Sequence, residues 1–281
     1  MARVAGRLSI FAGSGELVPH AIEAAQRAGY KVQVLTLEPR AAIAGVKMIA
    51  ADLENPLGII WSLKIFRTSH IVLAGGIHLP DKAREGLIRF ANGNAPAGEG
   101  MAETAVGDAA LAALAKVLKK MTGADLVGVH ELSPELLAPD GAIAGPAFAD
   151  RAAALFALKT ARAIGALDIG QAAIVSGRRV IAVEDIGGTD ALIERVGALR
   201  SRGLTGNGAA PLILAKARQP QQSAFIDLPA IGPQTIIGCA AAGIAVIAVE
   251  AGHSLVLQRD ALSVAAEQHG VAVLGLGIDN D

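Results

Sequence analysis

The chain has 281 residues, 52% of them hydrophobic and 18% charged, and its 25 basic and 26 acidic side chains leave a formal net charge of −1. That length and apolar content support one large domain or two ordinary ones and exclude a disordered chain. The even charge balance and the 3% aromatic content argue against a nucleic-acid binder, and the single cysteine, Cys239, excludes an intramolecular disulfide and any multi-thiolate zinc site.

The first half alternates strand-like and helix-like runs. Residues 7–12 (RLSIFA) read as a buried strand, 16–28 as a helix ended by Gly29, and 31–37 (KVQVLTL) as a second strand. A helix over 55–65 carries Pro56 in its first turn, and 70–74 (HIVLA) form a strand closed by Gly75 and Gly76. Residues 92–100 (NGNAPAGEG) read as a loop, 104–121 as an amphipathic helix and 126–129 as a short strand. Breakers Pro134, Pro139, Gly141, Gly145 and Pro146 then crowd residues 133–146, which are expected to link two domains, 1–132 and 147–281.

The second half opens with a helix over 147–164. A hairpin over 172–184 turns at Ser176-Gly177, and a helix covers 189–202. Strands are expected at 212–216, 244–249 and 271–274, with a helix at 260–269. The reading is α/β throughout: an N-terminal Rossmann-like parallel sheet with helices, and a C-terminal α/β domain with a mixed sheet. The N-terminus has no apolar signal core, and the longest apolar stretch, 236–249, is 14 residues against the roughly 20 a membrane-spanning helix needs. A cytoplasmic location is expected, with room for contact at a membrane surface.

Four constellations carry polar chemistry. Gly13-Ser14-Gly15 sits at a strand-to-helix turn, where backbone N–H groups and the helix dipole suit a bound anion. Phosphate binding and a plain turn both fit. A dinucleotide site, suggested by Glu38 at the end of the next strand, fits less well because Val18 stands where the third glycine belongs. Gly75, Gly76 and His78 follow another strand and are expected on the same rim. The third group is Glu184-Asp185-Ile186-Gly187-Gly188-Thr189-Asp190, three acids around a glycine pair, with Thr189 able to cap the helix that follows. Mg²⁺ is served by sparse carboxylates of this kind together with substrate phosphate oxygens. The fourth is Lys216 at a strand end, followed by Asp227 between apolar residues before Pro229. Asp227 is either hydrogen-bonded structure or a placed catalytic group.

Over nearly its whole length the chain resembles the LpxI-type UDP-2,3-diacylglucosamine pyrophosphatases. The resemblance runs through IFAGSGELVPHAIEAAQRAGYKVQVLTLE, LGIIWSLKIFRTSHIVLAGGIHLPD, VGDAALAALAKVLKKMTGADLVGVHELSPELLAPDGAIAGP, LDIGQAAIVSGRRVIAVEDIGGTDALIERV and DLPAIGPQTIIGCAAAGIAVIAVEAGHSLVLQRD, in that order. Two departures stand out. Gly187 precedes the Gly-Thr-Asp element where the family has Glu. Gln222-Ser223-Ala224-Phe225-Ile226-Asp227 replaces Gln-Asp-x-Arg-x-Asp, so an acid and an arginine are missing.

The resemblance implies two domains with a lipid-linked sugar nucleotide held between them. It implies hydrolysis of UDP-2,3-diacylglucosamine to UMP and 2,3-diacylglucosamine 1-phosphate with a divalent cation such as Mg²⁺, in lipid A synthesis on the cytoplasmic side of the inner membrane. On that reading Asp227 and Asp190 are catalytic, and Asp227, Asp190 and Glu184 hold the metal. Gly13, Ser14, Gly75, Gly76, Gln171, Gly188, Thr189 and Lys216 contact substrate. A homo-oligomer and peripheral membrane contact are compatible with it. The rival classes are a nicotinamide-dependent oxidoreductase and a non-catalytic lipid or nucleotide carrier.

Overall fold

A computed structural model describes residues 5–53, 55–76, 81–94, 117–206, 208, 210–220 and 228–278. The chain divides into two compact units, with the boundary between Pro134 and Glu135.

The first unit runs β1 (Gly6–Ala12), α1 (Leu17–Arg27), β2 (Tyr30–Thr36), β3 (Lys47–Ala50), α2 (Pro56–Phe66), β4 (His70–Ala74) and α3 (Asp81–Asn94). A helical stretch α4 over 117–122, β5 (Asp125–Leu126) and α5 (Val129–Leu132) complete it. Its sheet is wholly parallel, in the order β3-β2-β1-β4-β5. Leu8, Ile10, Phe11 and Ala12 of β1 are all buried because helices cover both sides of it, and the buried Ser9 is hydrogen-bonded to Thr68 and Gln33. α1 buries Leu17, Val18, Ala21, Ile22 and Ala25 against β1, β2 and β4. On the other face Ile59, Ile60 and Leu63 of α2 pack with Phe11, Leu35, Ile71 and Leu73. The start of α2 is set by Asn55, whose side chain accepts the Gly58 N–H at 3.3 Å, and by Pro56 at its first position. Strand order reverses between β1 and β4, the place where a doubly wound sheet opens a crevice at its carboxyl edge.

The second unit contains β6 (Gly141–Ala144), α6 (Arg151–Ala166), β7 (Ala172–Ser176), β8 (Arg179–Val183), α7 (Gly188–Ser201) and β9 (Leu212–Lys216). It continues with β10 (Ala230–Ile231), α8 (Pro233–Ala242), β11 (Val246–Glu250), β12 (Leu255–Val256), α9 (Arg259–His269) and β13 (Ala272–Leu276). The sheet is mixed, in the order β6-β13-β11-β9-β7-β8, with β9, β11 and β13 parallel and β6, β7 and β8 antiparallel to their neighbours. α7, α8 and α9 cover one face through Leu192, Val196, Ile236, Cys239 and Leu262. α6 covers the other with Ala154, Ala157, Leu158 and Ala161 against Ile213, Ala215 and Ala248, small side chains that let helix and sheet approach closely.

Three readings change. Residues 126–129, expected as a strand, split into β5 and the helical turn α5. β6 lies inside the stretch expected as a linker and pairs with β13. Residues 92–94, expected in a loop, end α3. The rest of that loop, most of the helix expected over 104–121, and His78 lie outside the described residues. Among the described residues no helix is long and apolar enough to cross a membrane.

Candidate functional site

In the first unit the two glycine turns meet. Ser14 and Gly76 form an antiparallel bridge: Ser14 N–H donates to Gly76 O at 2.9 Å and Gly76 N–H to Ser14 O at 3.1 Å. Gly13 N–H donates to Ala74 O at 2.9 Å, and Ser14 Oγ to Gly76 O at 3.2 Å. The contact explains the glycines. A Cβ on Gly13 would stand 2.3 Å from Gly76 O, and one on Gly75 would stand 2.0 Å from Ser14 O.

The expected rim is therefore real, but it is closed upon itself. The N–H groups of Gly13, Ser14 and Gly76 donate to the carbonyls of Ala74, Gly76 and Ser14. What faces outward is the exposed Gly15-Glu16 pair and the start of α1, which has no side-chain cap. Val18, at the position of the missing third glycine, is fully buried.

Arg40, which the sequence reading passed over, folds onto this turn. Its Nη2 donates to Gly13 O at 2.9 Å and Gly15 O at 3.0 Å. A guanidinium thereby stands beside the α1 N-terminus.

The second unit gathers its polar residues along one edge of the sheet, where Ala172 pairs with Lys216 and Lys216 with Val249. Glu184 is the buried hinge of this edge. One carboxylate oxygen accepts the Gln171 N–H at 2.7 Å, and the other accepts the Thr189 hydroxyl at 2.7 Å. Ala217 N–H donates to Gln171 O at 3.0 Å. The Gln171 backbone is thus fixed on both sides, so its partly exposed carboxamide leaves from a set position. Thr189 does not cap α7 as expected, because its hydroxyl is spent on Glu184 and Gly187 occupies the cap position without a side chain.

Gly188 begins α7 with φ +76°, and Asp190 stands exposed in the first turn, where the helix dipole favours a carboxylate. Neighbouring Asp185 accepts the Gly187 N–H at 2.9 Å and pairs with Arg195 at 2.6 Å. These contacts, the Gly187 bond foremost, hold its carboxyl below the usual range.

Lys216 is 6% exposed, and its Nζ donates to Ala230 O at 3.1 Å. It therefore grips the chain at β10. Burial pushes the Cys239 thiol up to about 12, while Lys216 draws it down and Asp190 pushes it up. These two charges of the edge both reach the same thiol, which stays protonated at neutral pH as an inert core group.

Glu250 was not foreseen. It is 5% exposed at the end of β11, accepts the Arg218 N–H at 2.9 Å and pairs with Arg162 at 3.3 Å. A signal was present: the pentapeptide Val-Ile-Ala-Val-Glu closes both β8, at Glu184, and β11, at Glu250. In each case the terminal glutamate turns inward and accepts a main-chain N–H.

Asp227, with Ser223, Ala224 and Phe225, lies outside the described residues. Leu228 immediately after it is buried, and Leu255 N–H donates to Pro229 O at 2.7 Å. Among the described residues no three His, Cys, Asp or Glu side chains converge as a metal site. Of the expected ligands, Glu184 already accepts a hydrogen bond on each oxygen, whereas Asp190 is exposed.

Two family descriptions match consecutive parts of the chain: LpxI N-terminal domain over residues 7–136 and LpxI C-terminal domain over residues 140–274. A protein of Caulobacter vibrioides named UDP-2,3-diacylglucosamine pyrophosphatase LpxI is 35% identical over 284 residues, covering 96% of this chain and 97% of that protein. Among solved structures, the Bordetella bronchiseptica enzyme WbmG in complex with NAD and UDP is 13% identical at a TM-score of 0.28, covering 73% of this chain and 70% of its own. The Thermus thermophilus UDP-glucose 4-epimerase complex with NAD is 13% identical at a TM-score of 0.32, covering 97% and 86%. Likeness at that level carries no argument, whereas the family matches span both halves in order. The chain belongs to the LpxI family.

Proposed function

We propose that this protein hydrolyses the pyrophosphate of UDP-2,3-diacylglucosamine to UMP and 2,3-diacylglucosamine 1-phosphate. The observation that carries the reading is membership of the family over both halves, with 35% identity to a relative bearing that activity in its name. Water attacks one phosphorus, the P–O–P bond breaks, and one phosphate leaves with the nucleoside and the other with the sugar. The chemistry needs an aligned water, a place for its proton and neutralised phosphate charge.

Asp227 takes the water's proton or serves as a carboxylate ligand. The chain around it is tied at both ends: Arg218 to Glu250 on one side, Ala230 to Lys216 on the other. Two residues, Leu228 and Pro229, lie between Asp227 and Ala230 in the sequence. Asp190 supplies a second carboxylate, and Gln171 and Thr189 border the sugar-phosphate from positions that Glu184 fixes. A divalent cation, Mg²⁺ by the chemistry of the donors, would neutralise pyrophosphate charge through the oxygens of Asp190 and Asp227. Glu184 is assigned a positioning role in place of ligation, because it is 5% exposed and both its oxygens are directed at Gln171 and Thr189. Arg40 and the start of α1 supply positive potential in the first unit.

Asp227→Ala tests the reading. Turnover of UDP-2,3-diacylglucosamine should fall by at least about a thousandfold, the scale for loss of an acid–base group together with its electrostatic role, with the melting temperature unchanged. Normal turnover in that variant would remove Asp227 from the mechanism.

A further inference from the structure

Helix α2 is apolar on both of its faces. Ile59, Ile60 and Leu63 are buried against the sheet, whereas Leu57 is 56% exposed, Trp61 66% and Ile65 69%. The spacing 57, 61, 65 places the three exposed side chains in one stripe along the outer face. A helix hydrophobic all round is ordinarily buried, and aligned large apolar side chains of this kind are not the scattered exposure of a normal surface.

Within the helix and its last turn the charges have one sign, with Asp52 and Glu54 preceding its start. Lys64 lies on the same face, Arg67 follows the last turn, both are exposed, and residues 55–69 contain no acid. Tryptophan prefers the boundary between headgroups and acyl chains, and cations beside an apolar stripe suit lipid phosphates.

We propose that the outer face of α2 docks on an anionic phospholipid bilayer. Leu57, Trp61 and Ile65 enter the headgroup–acyl boundary, and Lys64 and Arg67 meet lipid phosphates. Trp61 flanked by the cations Lys64 and Arg67 fits the headgroup–acyl boundary of an anionic bilayer, and a second copy of the chain is an outcome of the test. The docking deepens the proposed function and rests on it for its purpose, since a diacylated substrate resides in a bilayer. Its geometry stands independently.

Trp61 is the chain's single tryptophan, so intrinsic fluorescence reads this face directly. The full chain is titrated with phosphatidylglycerol-containing vesicles and with phosphatidylcholine vesicles, alongside hydrolysis of the diacylated substrate in detergent micelles. Emission should move to shorter wavelength with the anionic vesicles, be quenched by brominated acyl chains and return at high salt. Leu57→Ser with Ile65→Ser keeps the reporter and should weaken vesicle binding by about tenfold or more, with micellar turnover unchanged. Lys64→Glu should weaken binding to anionic vesicles alone.

Emission unchanged by either vesicle overturns the docking. So does a spectral shift that follows protein concentration without lipid, which would assign the stripe to a second copy. Micellar turnover without vesicle binding overturns the docking and leaves the function standing. Vesicle binding without turnover does the reverse.

Discussion

Glu184 shows how one buried carboxylate organises an edge. It joins the start of β7, the end of β8 and the first turn of α7 through Gln171 and Thr189. Charge-assisted bonds at 2.7 Å are strong, and their loss leaves polar groups without partners. Glu184→Ala should therefore destabilise the protein by about 1–3 kcal/mol and lower kcat, while the dependence of the residual rate on Mg²⁺ keeps its midpoint. Chemical denaturation and a Mg²⁺ titration check both parts. A shifted Mg²⁺ midpoint would restore Glu184 to the ligands.

Asp185 makes a separate, pH-dependent contribution. Its carboxyl is held below the ordinary value, first by the Gly187 N–H and then by Arg195. A depressed native value means that the contribution is present above the unfolded pKa, about 3.9, and is lost as pH falls through the lower native value. The stability difference between the parent and Asp185→Asn should be constant from neutral pH to about 5 and vanish in stronger acid. Urea unfolding at a series of pH values measures it. A difference that grows on acidification would contradict the assignment.

At the scale of elements, the important feature is the stretch from Arg218 to Ala230, tied at its ends by Glu250 from β11 and Lys216 from β9. Both anchors are buried charges at the carboxyl ends of neighbouring parallel strands, where α/β sheets place their chemistry. Lys216→Met keeps the aliphatic volume and removes the bond to Ala230. It should lower kcat by about tenfold or more, the price of misplacing a reacting group, with only a small change in melting temperature. Steady-state kinetics and thermal unfolding separate the two; equal loss of both would make Lys216 a packing residue.

The same scale explains what could be read beforehand. β4, β9, β11 and β13 are apolar runs bounded by glycine or charge, β1 and β2 are β-rich runs with polar residues among the apolar ones, and α1, α6, α7 and α9 have one apolar face, so period and punctuation both mark them. β10 and β12 have two residues each, too few for any pattern. α8 escaped because PQTIIGCAAA is apolar on most sides and merges with β11 into a single hydrophobic stretch. Gly187-Gly188 and the acids beside them marked the second unit's edge. Glu250 did not stand out, because an acid ending a buried strand looks like a boundary. Arg40 acts through main-chain carbonyls, which no side-chain pattern encodes.

At the scale of the whole molecule, both units are α/β, and each concentrates polar groups at the carboxyl edge of its parallel strands. The first closes its glycine turns with internal bonds and buries Val18 where a dinucleotide fold needs glycine. This architecture argues against nicotinamide chemistry despite the Rossmann-like strand order. The second holds Gln171, Thr189 and Lys216 in place with buried acids and main-chain contacts, and the proposed cleavage draws on that preorganisation.

The most direct measurement incubates the protein with UDP-2,3-diacylglucosamine and Mg²⁺ in ¹⁸O-labelled water and reads the products by mass spectrometry. UMP and 2,3-diacylglucosamine 1-phosphate should appear in equal amounts, with the label on one of the two phosphates and no products when EDTA replaces Mg²⁺. Intact substrate bound to the protein would contradict hydrolysis and make this chain a carrier of the same lipid.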